Sequence, residues 1–276
     1  MQEIDDNQIR VIGQSGLSPS KRRKRWIIAI AVAVLLFVAL WLVLKQLPRK
    51  GCAIPDAQMV EAVDSVNVGV PDSGEKGFTE VFDTSINDVP LTIYLPHNTM
   101  PHFEVGMLDT NDVSIVLAVM AADVRSDNGE IVGVSVCKGK VLSRGERKMG
   151  FCAIVNGSVS MGVSRETSLF ENVVQSGGDF FRQYPLVCND SVFVPKPKGK
   201  AIRQALCDYH GSLVVVRTRQ RESYHDFANA IADLGVTTAI SLVGGESQLI
   251  YADSLGCRTI LGNVLPSPNV NYLVWK

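Results

Sequence analysis

Apolar positions are distributed along this chain in three ways. From Trp26 to Leu44 they run unbroken by any charge, directly behind Lys21-Arg22-Arg23-Lys24-Arg25. At about 1.5 Å per residue, a helix over this run is roughly 28 Å long, close to the hydrocarbon core of a bilayer. Its Ile, Leu, Val and Phe residues contribute on the order of −4 to −8 kcal/mol to insertion. Trp26 and Trp41 stand near the two ends, where an indole keeps its N–H wet. Basic residues are denser before the run than after it, so the positive-inside rule keeps the N-terminus cytoplasmic and exports the rest. A cleaved signal peptide is the competing reading. Its apolar stretch is normally shorter, and no small-x-small site follows this one promptly.

From 45 to 88 the pattern dissolves into Pro, Gly and Asp, which reads as a stalk with one short helix near Asp56 to Val63. From Pro90 onward, short β-branched runs recur between turn residues: Leu91–Leu95, Ser114–Met120, Ile131–Val136, Phe151–Val155, Val192–Val194 and Leu213–Val216. These are strands. Asp127-Asn128-Gly129 provides a hairpin turn between two of them. Late in the chain Ser223 and Asp226 have capping-box spacing. Phe227, Ala230, Ile231 and Leu234 repeat at helical intervals, and Gly235 ends the helix. With strands at Leu213–Val216 and Thr238–Val243 this makes a strand-helix-strand unit, which predicts two parallel strands side by side.

The expected class is therefore α+β: a mixed β-sheet domain with few helices over 89–276, preceded by a single N-terminal transmembrane helix. The segments before it are a cytoplasmic tail at 1–25, the anchor at 26–44 and the stalk at 45–88. The expected location is a single-pass membrane protein with its C-terminal domain extracytoplasmic, in a bacterial periplasm on the inner membrane.

Charge narrows the partners. Residues 51–276 hold 18 Lys and Arg against 25 Asp and Glu, which argues against nucleic acid and requires any anionic ligand to be held by a few placed groups. All six cysteines lie beyond the anchor, with long irregular spacings and no zinc pattern. Disulfides and buried free thiols both remain open. No metal-ligand motif is present, and the sequence does not define a cofactor.

Three clusters carry candidate chemistry. Gly244-Gly245-Glu246-Ser247 follows a strand and presents glycine amides suited to a phosphate or carboxylate oxygen, with a plain turn as the alternative. Asn156-Gly157 ends another strand, where the amide of Asn156 can bond a sugar hydroxyl and Gly157 allows close approach; an Asn-Gly turn is the alternative. Arg203 interrupts the apolar run Ala201–Cys207 and is a candidate bidentate anion ligand or an outward-facing edge residue. His225, in the first turn of the late helix, is a candidate neutral base. The aromatic run Phe180-Phe181-Arg182-Gln183-Tyr184 fits core packing or a sugar-stacking lid.

In this order the clusters resemble the phosphodiester glycosidase domain family over roughly Ser114 to Tyr251. Asn156 and Gly157 look like the start of the family's Asn-Gly-Gly-Phe-Phe motif. Arg203-Gln204-Ala205 is similar to its Arg-Thr-Ala strand. Ala228 to Ser247 is similar to its helix-Leu-Gly-strand segment ending in Leu-Asp-Gly-Gly-Gly-Ser, with Leu242, Gly244, Gly245 and Ser247 matching. The resemblance implies a hydrolase of sugar phosphodiesters or related envelope glycans. Arg203, Gly244, Gly245, Ser247 and Gly157 would hold substrate and phosphate, Asn156 would orient the sugar, and Glu246 or His225 would handle protons. Val243, however, stands where the family has Asp, and Glu246 where it has a third Gly. Loss of a catalytic carboxylate costs on the order of 10²- to 10⁴-fold in rate. A catalytically inactive member that binds a glycan or an envelope protein is the alternative.

Overall fold

The computed structural model describes residues 62–66, 74–145, 148–189, 191–264 and 267–276. The tail, the 26–44 run, Cys52 and most of the short helix expected near Asp56 lie outside them. Among the described residues, no helix is long and apolar enough to cross a membrane.

Three sheets make up the domain. The first orders β1 (Ala62–Val66), β9 (Ser158–Val163), β8 (Gly150–Val155), β10 (Asp179–Gln183), β6 (Val134–Cys137) and β7 (Lys140–Arg144). The second orders β12 (Ser191–Val192), β11 (Pro185–Cys188), β15 (Val236–Leu242), β13 (Gln204–Tyr209), β14 (Ser212–Thr218), β3 (Val89–His97) and β2 (Phe78–Ile86). The third orders β17 (Arg258–Leu261), β16 (Leu249–Ala252), β5 (Leu117–Met120), β18 (Asn271–Trp275) and β4 (Pro101–Val105). Two helices are described, α1 (Leu169–Ser176) and α2 (Tyr224–Asp233).

The α+β expectation gives way to a mostly antiparallel β fold, because every named strand pair among the described residues is antiparallel. The strand-helix-strand unit exists, but β14 and β15 are not neighbours. β13 lies between them and pairs antiparallel with both. Local turn chemistry drives this outcome. Asn87-Asp88, Lys138-Gly139, Asn156-Gly157 and His210-Gly211 each close a two-residue hairpin loop with positive φ at both positions. Such loops match the natural twist of paired strands and return the chain antiparallel.

Strand alternation sorts side chains between one shared core and three outer layers. Cys152 and Ile154 of β8, Phe181 of β10, Leu206 of β13, Leu213 and Val215 of β14, and Leu273 and Trp275 of β18 meet in the shared core. Their strand neighbours face outward. Ala205, Cys207, Val214 and Val216 lie under α2, whereas Phe151, Ala153 and Phe180 lie with Val173 of α1. Ser223 caps α2 by accepting the Asp226 N–H at 3.0 Å, and Phe227, Ala230 and Ile231 form its buried face. β1 and β2 fall within the stretch read from sequence as a stalk. The aromatic run at 180–184 comprises most of β10 and Tyr184, the residue that links it to β11, and both phenylalanines are fully buried.

The five described cysteines are free thiols. Cys152 and Cys207 are fully buried, and desolvation raises both thiol pKa values strongly.

The first and third sheets are stitched together by one carboxylate. Buried Asp179 accepts the Phe103 N–H of β4 at 2.9 Å and the Lys138 N–H of the β6–β7 turn at 2.7 Å. Replacing Asp179 with Ala strands both donors, each at a cost of about 1–3 kcal/mol. Urea denaturation followed by circular dichroism should show a loss of roughly 2–5 kcal/mol. A loss well under about 1 kcal/mol would show that this junction does not hold the sheets together.

Candidate functional site at the end of the central sheet

The segment after β15 is fixed by its backbone. Val243 N–H donates to the Met120 carbonyl at 3.2 Å, and Gly245 N–H donates to the Ile202 carbonyl at 2.7 Å. A Cβ on Gly244 would run into the Ile202 carbonyl oxygen, and Gly245 has φ of 70°. Ser247 Oγ donates to the Val243 carbonyl at 2.6 Å and accepts from Gln204 Nε2 at 2.7 Å. The Gly245 amide is thus spent on the neighbouring segment, and the Ser247 amide closes the turn on the Gly244 carbonyl at 3.4 Å. Of the two glycine amides expected to cradle an anion, that of Gly245 is occupied. Glu246 is exposed at the tip of this turn.

Arg203 sits beside Gly244 and is almost fully buried. It is neither an outward edge residue nor an open clamp. Its Nε donates to the Glu222 carbonyl at 2.9 Å and its Nη2 to the Gly199 carbonyl at 2.6 Å. Its guanidinium also lies 3.8 Å from the centre of the Tyr224 ring. These contacts fasten the entry to β13 against the start of α2. Burial raises the Tyr224 pKa, and Arg203 partly opposes the shift. His225, the next residue, is exposed and reaches Asp226 at 3.4 Å.

A second polar group borders this region. Lys148 is buried, and its Nζ lies 2.6 Å from Asp123, 2.7 Å from Gln183 Oε1 and 4.5 Å from the Tyr184 ring centre. Asp123 is half-exposed, acts electrostatically on Tyr224 and leaves β5 just after the residue that binds Val243. Sequence inspection missed this pair, because nothing local marks partners that lie far apart in the chain.

Asn156 and Gly157 are placed elsewhere. Their φ angles of 47° and 80° make them the tight turn between β8 and β9, and Asn156 is exposed. A Cβ on Gly157 would meet the Met100 methyl, and Met100 bonds Lys276 at the Leu117 end of β5. Val243 bonds the Met120 end. β5 alone separates the two ends by roughly 10 Å. The structure thus gathers Arg203, His225, Gly244, Gly245, Glu246 and Ser247 at one end of the core and leaves Asn156 and Gly157 at the other. Among the described residues, no group of three or more His, Cys, Asp or Glu is arranged to hold a metal ion.

Two grooves open away from this loop. One of about 520 Å³ is lined by Phe103, Cys137, Lys138 and Lys140, and another of about 380 Å³ by Arg125, Glu130, Ser143 and Asn269. Neither includes the residues above.

Gly244 tests how tightly the loop is bound to β13. In Gly244→Ala the new methyl group forces the loop off Ile202, with an expected cost of about 1–3 kcal/mol in thermal or urea unfolding. Wild-type stability would show that the loop is not seated there.

The chain matches solved structures in fold. It superimposes on the zebrafish N-acetylglucosamine-1-phosphodiester alpha-N-acetylglucosaminidase catalytic domain, auto-inhibited by its pro-peptide, with a TM-score of 0.54. The two are 14% identical, over 77% of this chain and 86% of that one. A hypothetical protein from Synechocystis aligns with a TM-score of 0.47 and 12% identity, over 80% of this chain and 64% of that one. No family model matches the sequence, and no curated protein matches it. At this identity the likeness is one of fold: the domain shares the architecture of the zebrafish catalytic domain.

Proposed function

We propose that this protein is a divergent relative of the phosphodiester glycosidases that binds an anionic glycan without hydrolysing it. The occupied state of the Gly244–Ser247 loop carries the proposal. Val243, just before that loop, is aliphatic, the Gly245 N–H is donated to Ile202 and the Ser247 N–H to Gly244 within the turn, and the neighbouring Arg203 is tied to main-chain carbonyls. A proton-transfer group must reach the reacting atoms, and the candidate Glu246 extends from an exposed turn. The fold likeness to a sugar phosphodiester hydrolase supports the ligand class.

A hydrolytic reading is favoured by one different observation. Asp123, paired with Lys148, supplies a half-exposed carboxylate near Tyr224 at the same end of the core. In this reading Asp123 takes over the proton chemistry that Val243 cannot perform.

The full-length chain in detergent, incubated with a panel of glycosyl phosphodiesters, separates the two. Saturable binding with no released sugar, unchanged in Glu246→Gln, is the expected result. Sugar release abolished by Asp123→Asn would replace binding with hydrolysis, and neither binding nor release would reject both.

We further propose that residues 26–44 attach the chain to a membrane with residues 51–276 on the outer side. The uncharged apolar run and the basic residues before it support this. The protein should resist alkaline extraction from membranes, and its C-terminal part should be digested by protease added to intact spheroplasts. Release at alkaline pH, or full protection, would contradict the assignment.

A further inference from the structure

Four side chains stand in a row across adjacent strands of the central sheet: Gln204 on β13, Arg217 on β14, Thr92 on β3 and Asp83 on β2. Directly opposed residues present their side chains to the same face. On β14 that face also carries Leu213 and Val215, both in the shared core. Arg217 therefore enters the space between the sheets at the Gly244–Ser247 end, where it is half-buried.

Its partners there are weak. The guanidinium donates to the Ser247 and Gly245 carbonyls, each at 3.4 Å. Among the described residues no carboxylate pairs with it. Asp83, the acid in the row, accepts from Thr92 at 2.6 Å and pairs with Arg219 at 3.3 Å. Desolvation pulls the Arg217 pKa down, and the nearby Tyr94 is the opposing influence. A desolvated cation without a counter-charge costs stability that an arriving anion restores.

The neighbouring Gln204 is also incompletely satisfied. It is almost wholly buried, and its Nε2 donates to the Val243 carbonyl at 2.6 Å as well as to Ser247. Because Nε2 faces a carbonyl, the amide cannot be flipped without losing that bond. Its Oε1 has no partner. Buried polar atoms are nearly always paired, so an acceptor without a partner beside a cation that meets no carboxylate among the described residues suits a ligand with both anionic oxygens and a donor. The Tyr94 and Tyr251 rings, 5.4 Å apart, lie on the same side.

We propose that Arg217 and Gln204 form a subsite for the phosphate group of a phosphorylated sugar. The guanidinium fork takes two phosphate oxygens in place of the long carbonyl contacts, and Gln204 Oε1 accepts from a sugar hydroxyl. The sugar half rests on the glycan-binding reading; the phosphate half stands on this geometry alone.

Calorimetric titration of the full-length chain in detergent with inorganic phosphate, and separately with a hexose 1-phosphate, tests it. Both should bind the wild type. Arg217→Gln should weaken both by about 10- to 100-fold, with a melting temperature equal to or above wild type, because a desolvated charge has been removed. Gln204→Met should weaken only the hexose phosphate. Arg125→Gln, a surface control paired with Asp127, should change neither. Absence of phosphate binding by the wild type, or equal binding by Arg217→Gln, would overturn the subsite. A large drop in melting temperature in Arg217→Gln would also overturn it, by showing that the side chain is structural. Hexose phosphate binding indifferent to Arg217 would refute the subsite and leave the glycan reading standing. Phosphate binding through Arg217 with no sugar ligand would do the reverse.

Discussion

Burial of β13 on both faces is the constraint on which the rest depends. Leu206 points into the shared core while Ala205 and Cys207 point beneath α2, and both edges of the strand are hydrogen-bonded, to β14 and to β15. A strand enclosed in this way has no access to water, so any polar group that enters it must find its partners inside the protein. Arg203 and Gln204 are the polar residues at its entrance. Arg203 is satisfied by the Glu222 and Gly199 carbonyls and by the Tyr224 ring. Gln204 is only half satisfied. The candidate site is what remains when the ends of a closed apolar core are finished with polar side chains, and one of those finishes is left incomplete.

That arrangement also bears on chemistry. A site for proton transfer needs a carboxylate or imidazole aimed at the place where a reacting atom will sit. At this end of the core the glycine loop is used as structure, with its carbonyls rather than its amides turned toward Arg217. Among the described residues the Arg217 guanidinium meets carbonyls and no carboxylate, an arrangement suited to a charged ligand. The likeness to the zebrafish catalytic domain is one of architecture, and the residue that follows β15 at this end is the aliphatic Val243.

Much of the scaffold was legible in the sequence where local physics decides it. The valine run of β14, the β-branched stretch of β15, the capped α2 with its Phe227–Ile231 face, and the phenylalanines of β10 follow from short-range patterns. Sheet order does not. The position of β13 between β14 and β15 depends on two-residue turns and long-range pairing, and a strand-helix-strand reading cannot see an inserted neighbour. β2 was missed because it is an edge strand in which the exposed Glu80, Asp83 and Ser85 break up any apolar run. In the site, Arg203 and the Gly244-Gly245 pair stood out as residues out of character with their surroundings, and they do lie together. Asn156-Gly157 stood out for the same reason but serves the geometry of a turn. Lys148 with Asp123, and Arg217 with Gln204, become visible only once distant segments are brought into contact.

The most direct measurement is a crystal structure of the protein with a hexose 1-phosphate bound. Density for the phosphate against the Arg217 guanidinium, with a sugar hydroxyl at Gln204 Oε1, is the predicted result. Ligand seated instead at the Asn156-Gly157 turn, or in the groove beside Lys138 and Lys140, would contradict the account.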